Sequence, residues 1–207
     1  MPQIAVTVTV NSWYIVTTMN KPELTWTEEK RKQVFNCNVF TVSEAYCKAP
    51  RFFAENKEGK IFSIIDTKDW AIVIPVIETP KGKQFLMVWQ WRHGSQSLSL
   101  EFPGGVFNPG ENAEEAAARE LREETGYKAK KVKKLGEFSP NPAIMSNTVH
   151  FFLAEDLTDT GTRSLDEDEF VEVELINIEE VIKGMGRAPY VHALMGAALA
   201  LYRNNTH

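Results

Sequence analysis

Six glutamates and only two arginines fall between Glu111 and Glu124, an excess of four negative charges. Glu123 and Glu124 follow Glu120 by three and four residues, so a helix would bring the three carboxylates to one side, with Cβ atoms about 5–6 Å apart. Two like charges at that separation repel by roughly 3 kcal/mol at an effective dielectric of about 20. A hard divalent cation would turn this repulsion into attraction. The spacing therefore predicts a seat for Mg²⁺ or Mn²⁺.

The same pattern has a second interpretation, in which the helix face is solvated. Arg119 would then pair with Glu115 and Glu123, as charge runs usually do. The preceding loop favours the metal site, because Gly104 and Gly105 remove side chains where backbone must approach a metal or a phosphate. Loop and helix together are therefore expected to form one site.

Local signals predict the helix that would position these acids. Strong helix formers run without interruption from Ala113 to Glu124. Asn112 can act as N-cap, with Glu115 at the N3 position of a capping box. Gly126 can supply the left-handed residue after the C-terminus. We expect a helix over 113–124.

The remaining pattern predicts a sheet covered by helices. A firm turn at residues 80–83 separates two runs rich in Val, Ile, Phe and Trp. The fold class is accordingly α+β, an α/β/α sandwich with a mixed β-sheet, preceded by N-terminal strands. Predicted strands cover 35–43, 60–66, 70–78, 84–91, 130–138, 148–154 and 170–175, and further helices cover 178–184 and 189–203, with a strand-like alternation also at Val6–Val10.

Composition narrows the class of protein. The 207 residues are 43% hydrophobic and carry a net charge of −5, which suits a globular enzyme and disfavours nucleic-acid binding. The longest apolar stretch, Ala193–Tyr202, is half of the roughly 20 residues that a membrane span needs, so no membrane association is expected. The first 16 residues contain no Lys or Arg, so we expect a cytoplasmic protein. The cysteines Cys37 and Cys47 are interpreted as buried thiols or bystanders.

Several conspicuous residues are open to more than one interpretation. The lysines between Lys128 and Lys134 alternate with apolar residues, which favours a solvated edge strand over a nucleic-acid patch. His93, His150 and His192 are isolated in sequence and lack metal-ligand spacing.

Two residues near the end of one predicted strand are candidates for substrate contact. Of Trp89 and Trp91, one could stack on a base while the other fills the core, and we assign Trp91 to the substrate. Arg92 can hold a phosphate in a bidentate fork.

From Gly105 the chain reads Gly, five residues, Glu111, seven residues, Arg119-Glu120-Leu121, one residue, Glu123-Glu124, one residue, Gly126-Tyr127. This resembles a complete Nudix box, and the chain is identified as a member of the Nudix hydrolase superfamily. The resemblance implies hydrolysis of a nucleoside diphosphate linked to another moiety, by metal-assisted attack of water on phosphorus.

The resemblance also assigns roles by motif position. Glu120, Glu123, Glu124 and the carbonyl of Gly104 would bind the metal. Catalysis would involve Glu120 together with Arg119, which would hold the glutamates by salt bridges. Gly105 would let substrate approach, whereas Glu111 and Gly126 would be structural.

Residues outside the box resemble the ADP-ribose and nucleoside-diphosphate-sugar pyrophosphatase branch. They are Gln90-Trp91-Arg92, the approach from Leu100 to Gly105, and Pro142, which lies sixteen residues after Gly126 and is assigned to substrate binding by this resemblance. The acids at 166–169 resemble an acidic loop of that branch, with Glu167 as general base and Glu169 as a further metal contact. Without the box, a solvated loop tip would be the simpler interpretation of these acids.

The substrate predicted by this resemblance is ADP-ribose or a related nucleotide sugar. Coenzyme A, a dinucleoside polyphosphate or an oxidised nucleotide would need the same chemistry, and a non-catalytic nucleotide-sugar sensor is a rival of another class. We expect a Nudix domain at 46–207 and an N-terminal strand region at 1–45, which would serve as the arm of a homodimer.

Overall fold

The computed structural model describes residues 21–50, 59–165 and 169–206. The chain forms two compact units, Met1–Ile65 and Asp66–His207. The described helices include none that is long and apolar enough to cross a membrane. The strand predicted at Val6–Val10 lies outside the described residues.

The first unit contains a three-stranded sheet, in the order β1 (Thr27–Asn36), β2 (Thr41–Lys48) and β3 (Lys60–Asp66). The predicted single strand over 35–43 is wrong, because a turn separates β1 from β2. In this turn the amide of Cys37 donates to the carbonyl of Phe40 over 3.0 Å. The apolar residues on both sides of the turn, Phe35 and Phe40, concealed it in the pattern. The boundary predicted at 45/46 falls inside β2, and the division into domains stays a prediction.

The second unit carries one mixed sheet. Its core order is β10-β5-β4-β9-β8, with β6 beside β5 and β7 beside β4. Only the β4–β9 pair is parallel among the described pairs of this sheet. Its elements are β4 (Trp70–Thr79), β5 (Gly82–Arg92), β6 (Ser97–Glu101), β7 (Gly104–Val106), α1 (Ala113–Thr125), β8 (Tyr127–Phe138), β9 (Val149–Asp159), β10 (Glu172–Asn177), α2 (Ile178–Gly184) and α3 (Ala193–Thr206).

Alternation along β4 divides the core into two layers. Ala71 and Val73 pack against Leu121 and neighbouring alanines of α1. Ile72 and Ile74 belong to the cluster on the other face, which includes apolar residues of α2 and α3. Helices therefore cover both faces of the mixed sheet, and the predicted α/β/α sandwich is confirmed.

Most predicted elements of this unit match, with shifts at their ends. The firm turn is a two-residue loop between Thr79 and Gly82, which are paired across the hairpin, and Gly82 has a φ of 96°. The short strands β6 and β7 were not predicted. The C-terminal helix begins at Ala193 rather than at residue 189. The lysines of β8 are exposed on an edge strand, as expected.

Candidate active site

Helix α1 is fixed at both ends by the residues that the sequence indicated. The side chain of Asn112 accepts hydrogen bonds from the amides of Glu114 and Glu115, and the carboxylate of Glu115 accepts from the amide of Asn112. Gly126 closes the C-terminus with a φ of 79°. Because Glu115 is used in the cap, the alternative that pairs it with Arg119 is wrong.

Arg119 instead joins three glutamates through a single guanidinium. Its Nε and Nη2 donate to Glu111 over 2.8 and 2.9 Å, and Nη1 donates to Glu120 over 2.8 Å and to Glu123 over 3.0 Å. Nη2 also donates to the carbonyl of Val106. The hydrogen bonds from Arg119 lower the pKa of Glu111, and the bond to Glu111 raises the pKa of Arg119. Arg119 therefore connects Val106 and Glu111, which precede α1, to the glutamates of the helix.

Glu124 is the most deeply placed acid of the helix, with an exposed fraction of only 2%. It accepts hydrogen bonds from the amide of Gly104 over 3.0 Å and from Nε2 of Gln90 over 3.3 Å. Burial raises its pKa well above the usual value, and repulsion by Glu120 and Glu169 adds to the shift. No hydrogen bond from a lysine or arginine reaches it within the described residues.

Glu120 is also buried, although it has one cationic neighbour. Burial raises the pKa of Glu120 to about 7 and outweighs the opposing effect of Arg119, and repulsion by Glu123 and Glu169 adds smaller increases. Two buried carboxylates therefore lie one helical turn apart, and each is costly to ionise without a cation.

Gly104 and Gly105 bring the backbone close to this acidic pair. A Cβ atom on Gly105 would lie 2.4 Å from Oε1 of Glu120, and one on Gly104 would lie 2.3 Å from the carbonyl oxygen of Ala71 in β4. Gly104 is therefore packed against backbone, and Gly105 against a carboxylate. A side chain at either position would collide with these atoms.

The donor set suits a hard cation in its chemistry. Carboxylate oxygens are the ligands that Mg²⁺ and Mn²⁺ prefer, and the raised pKa values of Glu120 and Glu124 mark an uncompensated negative site. Within the described ranges, however, no three His, Cys, Asp or Glu side chains already converge as a ligand set. Arg119 holds Glu123 and Glu120 by hydrogen bonds, so their ligation stays a prediction.

A cavity of about 630 Å³ lies beside the glycines. Its wall includes Arg92, Glu101 and His192 together with apolar side chains from β4 and α3. Arg92 forms a fork on Glu101, with Nε at 2.9 Å and Nη2 at 2.6 Å, and Nδ1 of His192 lies 3.0 Å from the same carboxylate. Burial alone would raise the pKa of Glu101, but the hydrogen bonds from Arg92 and His192 outweigh it and the pKa is lowered.

The other predicted site residues are placed differently. Trp91 is half-exposed and pairs across the strands with Leu98, and it is not among the residues that line the cavity. Pro142 is exposed in the connection between β8 and β9. Glu169 is close enough to influence the pKa of Glu120, Glu124 and Arg92. Glu167 lies outside the described residues, and its role as general base stays a prediction.

Three residues of this region carried no assigned role from sequence: Gln90, Glu101 and His192. Alternation along the predicted strand 84–91 offers a signal for Gln90, because it puts Gln90 on the same face as Val88. The strand β6, which was not predicted, brings Glu101 to this face, opposite Val88. His192 comes from a distant part of the chain, and its contact with Glu101 had no local signal.

Comparison with known proteins shows similarity in sequence and in fold. The family model described as NUDIX domain matches residues 67–194. ADP-ribose pyrophosphatase of Bacillus subtilis (strain 168) is 37% identical over 160 residues, which cover 75% of this chain and 82% of that protein. A methanol dehydrogenase activator of Bacillus methanolicus is 31% identical over 111 residues, covering 53% of this chain and 60% of the activator. The crystal structure of an ADP compounds hydrolase superposes with a TM-score of 0.75 at 22% identity, covering 89% of this chain and 96% of the other.

Proposed function

This chain belongs to the Nudix family and is a Nudix pyrophosphohydrolase, and we propose that its substrate is ADP-ribose or a closely related nucleotide sugar, cleaved at the diphosphate with Mg²⁺ or Mn²⁺. The relative from Bacillus subtilis, which bears the name ADP-ribose pyrophosphatase, supports the choice of substrate. The single observation that carries the metal requirement is the buried pair of Glu120 and Glu124, held beside Gly104 and Gly105 with raised pKa values.

The residues of the chain divide the work of this reaction. Glu120 and Glu124 would hold the metal, with Glu123, Glu169 and the carbonyl of Gly104 as further ligands. Bound there, the metal would neutralise the diphosphate and lower the pKa of the attacking water. Arg119 orients Glu120 and Glu123 by its hydrogen bonds.

The general base and the substrate contacts complete the proposal. Glu167 would accept the proton of the attacking water as general base. Arg92 lines the cavity beside Gly104 and Gly105, and a guanidinium binds phosphate oxygens through directed hydrogen bonds.

The test compares two substitutions on the same helix. Glu124→Gln keeps the size of a buried side chain but removes its charge, whereas Glu114→Gln makes the same change on the solvent face. With ADP-ribose and Mg²⁺ we expect kcat of Glu124→Gln to fall more than about a hundredfold, because the metal supplies several kcal/mol of charge stabilisation. Glu114→Gln should keep kcat within about twofold, since exposed sites contribute little. Unchanged turnover in Glu124→Gln would refute the metal role.

Other substrates of the same chemistry are separated by a panel. Coenzyme A, a dinucleoside polyphosphate and an oxidised nucleotide are assayed beside ADP-ribose, with the cleavage products separated and quantified by chromatography as readout. A preference of at least about tenfold in kcat/KM for ADP-ribose, equal to about 1.4 kcal/mol, is the expected result. A higher kcat/KM for another compound would reassign the substrate.

A regulatory function is the alternative from another class, and the similarity to the methanol dehydrogenase activator supports this alternative. A sensor would bind the nucleotide sugar without cleaving it. Calorimetry with ADP-ribose at saturating Mg²⁺, followed by analysis of the products, distinguishes the two. Binding with intact ligand would favour the sensor.

A homodimer is part of the same proposal. Every residue of β1 is exposed within the described chain, and its apolar residues include Val34 and Phe35. An exposed strand that carries apolar side chains is suited to pairing with another chain. Light scattering at micromolar concentration should give twice the monomer mass, and a monomer would end the proposal.

The predicted cytoplasmic location would be tested by cell fractionation.

A further inference from the structure

We propose that His192 is a positioning residue, which holds Arg92 in its phosphate-binding conformation by bonding to the buried carboxylate of Glu101 that also receives Arg92. This inference rests on the proposed function, because it assumes that Arg92 contacts a substrate phosphate. The sequence gives His192 no metal-ligand spacing and no motif. His192 contacts Glu101 because it lies immediately before the first residue of α3.

Glu101 is the centre of the arrangement. Its side chain is only 3% exposed, whereas the side chain of Arg92 is 43% exposed. One carboxylate oxygen, Oε2, receives both Nη2 of Arg92 at 2.6 Å and Nδ1 of His192 at 3.0 Å. A carboxylate that is bonded to two different residues cannot rotate without breaking a bond in a buried setting, which is costly.

Arg92 retains hydrogen-bonding capacity toward the cavity. Glu101 occupies Nε and Nη2, while no described residue is hydrogen-bonded to Nη1. Attraction from Glu124 and Glu169 contributes to the raised pKa of Arg92, so the guanidinium lies within electrostatic reach of the acidic site. A phosphate beside Glu124 could therefore receive the free donor.

His192 is itself fixed by the helix that follows it. Its carbonyl accepts the amide of Met195 over 3.0 Å, and Sδ of Met195 accepts the amide of Phe102 over 3.0 Å. The start of α3 is thus joined to the residue next to Glu101. Such support from a rigid element is what keeps a binding group within the narrow limits that function requires.

The test is a double-mutant cycle on KM. His192→Ala should raise KM for ADP-ribose about tenfold, the size expected for losing one hydrogen bond to a charged group, with kcat within about threefold. In an Arg92→Ala background the same change should alter KM less than about twofold, because residues that act through one another are non-additive. His192→Asn, whose amide can replace Nδ1 as donor, should restore KM to within about threefold.

A matched control removes a different histidine that also faces carboxylates. His150 lies 3.6 Å from Asp69 and 3.3 Å from Glu137, and it is not among the residues that line the cavity. His150→Ala should leave KM and kcat unchanged. Equal effects of His192→Ala in both backgrounds, or failure of His192→Asn to restore KM, would overturn the proposal.

A separate readout distinguishes this inference from the proposed function. Binding of AMP, a phosphate monoester, is measured by calorimetry for the wild type, both single variants and the double variant. If no compound of the panel is hydrolysed, the proposed function fails. The positioning role then stands on non-additive AMP affinities, and additive or unchanged affinities overturn it.

Discussion

Replacing Gly104 by alanine should mainly lower stability, whereas replacing the adjacent Gly105 by alanine should mainly lower kcat. The Cβ of Gly104→Ala would lie 2.3 Å from the carbonyl oxygen of Ala71 and 3.0 Å from Cα of Ile72. Both atoms belong to the backbone of β4, between β5 and β9 in the sheet. Because this backbone cannot move alone, overpacking of about 3 kcal/mol is expected, which lowers Tm by roughly 6–12 °C for a chain of this size.

Gly105→Ala meets a neighbour that can move. Its Cβ would lie 2.4 Å from Oε1 and 3.0 Å from Oε2 of Glu120, so the carboxylate must swing away and lose its bond with Arg119. That bond is worth about 1.5–3 kcal/mol, but the move also releases a carboxylate whose burial raises its pKa to about 7. We expect a net loss below about 1.5 kcal/mol, or roughly 3–6 °C in Tm. If Glu120 binds the metal as proposed, its displacement by about 1 Å should nevertheless lower kcat roughly a hundredfold.

The assay pairs thermal unfolding in EDTA with kinetics in Mg²⁺ at a temperature well below every Tm. Gly196→Ala is the control, because its Cβ would meet no atom within 4 Å in α3, and it should raise stability by about 0.5–1 kcal/mol. The reasoning is refuted if Gly105→Ala unfolds as early as Gly104→Ala, or if it keeps the wild-type kcat.

Further predictions concern the cavity wall, pH and metal. Ser99→Ala should raise the free energy of unfolding by about 1 kcal/mol, because its buried Oγ has no hydrogen-bond partner among the described residues; a lower Tm would contradict this. The pKa of Glu101 is lowered on folding, so its stabilisation is present above its unfolded pKa of about 4.5 and is lost as pH falls through the folded pKa. Chemical denaturation should therefore give a difference between wild type and Glu101→Gln that narrows from about pH 6 towards pH 3, whereas a constant difference would count against the assignment. Mg²⁺ at about 100 times its Kd should stabilise the wild type by about 2.7 kcal/mol and Glu124→Gln far less, and removal by EDTA should reverse the gain.

Local signals predicted the part of the site that lies on one helix. Asn112, Glu115 and Gly126 each bond to a group no more than four residues away along the chain, and the structure places each in the predicted cap. The spacing of Glu120 and Glu124 likewise follows from helix geometry alone. For the same reason, the hairpin at residues 80–83 was predictable from its turn residues.

Contacts between distant segments could not be predicted in this way. His192 meets Glu101 only because β6 and the start of α3 converge in the folded unit. The strand β6, Ser97–Glu101, is five residues long, and β7 has three, too few for periodicity to distinguish them from a loop. In the first unit, apolar residues on both sides of the turn after Asn36 imitated one continuous strand.

The depth of burial was equally hidden from the sequence. Spacing puts Glu120, Glu123 and Glu124 on one side of α1, but it cannot tell which of them the sheet and the glycine loop will cover. In the structure Glu124 is 2% exposed and Glu120 is 7% exposed, while the side chain of Glu123 is 26% exposed. Their electrostatic roles differ for that reason.

The central claim is that water, activated among the acids of α1, attacks phosphorus. It is tested most directly by running ADP-ribose hydrolysis with Mg²⁺ in water enriched in oxygen-18 and analysing the products by mass spectrometry. We expect AMP and ribose 5-phosphate, with the label in the phosphate of one of them. Absence of cleavage, or label on a sugar carbon after release of ADP, would contradict the account.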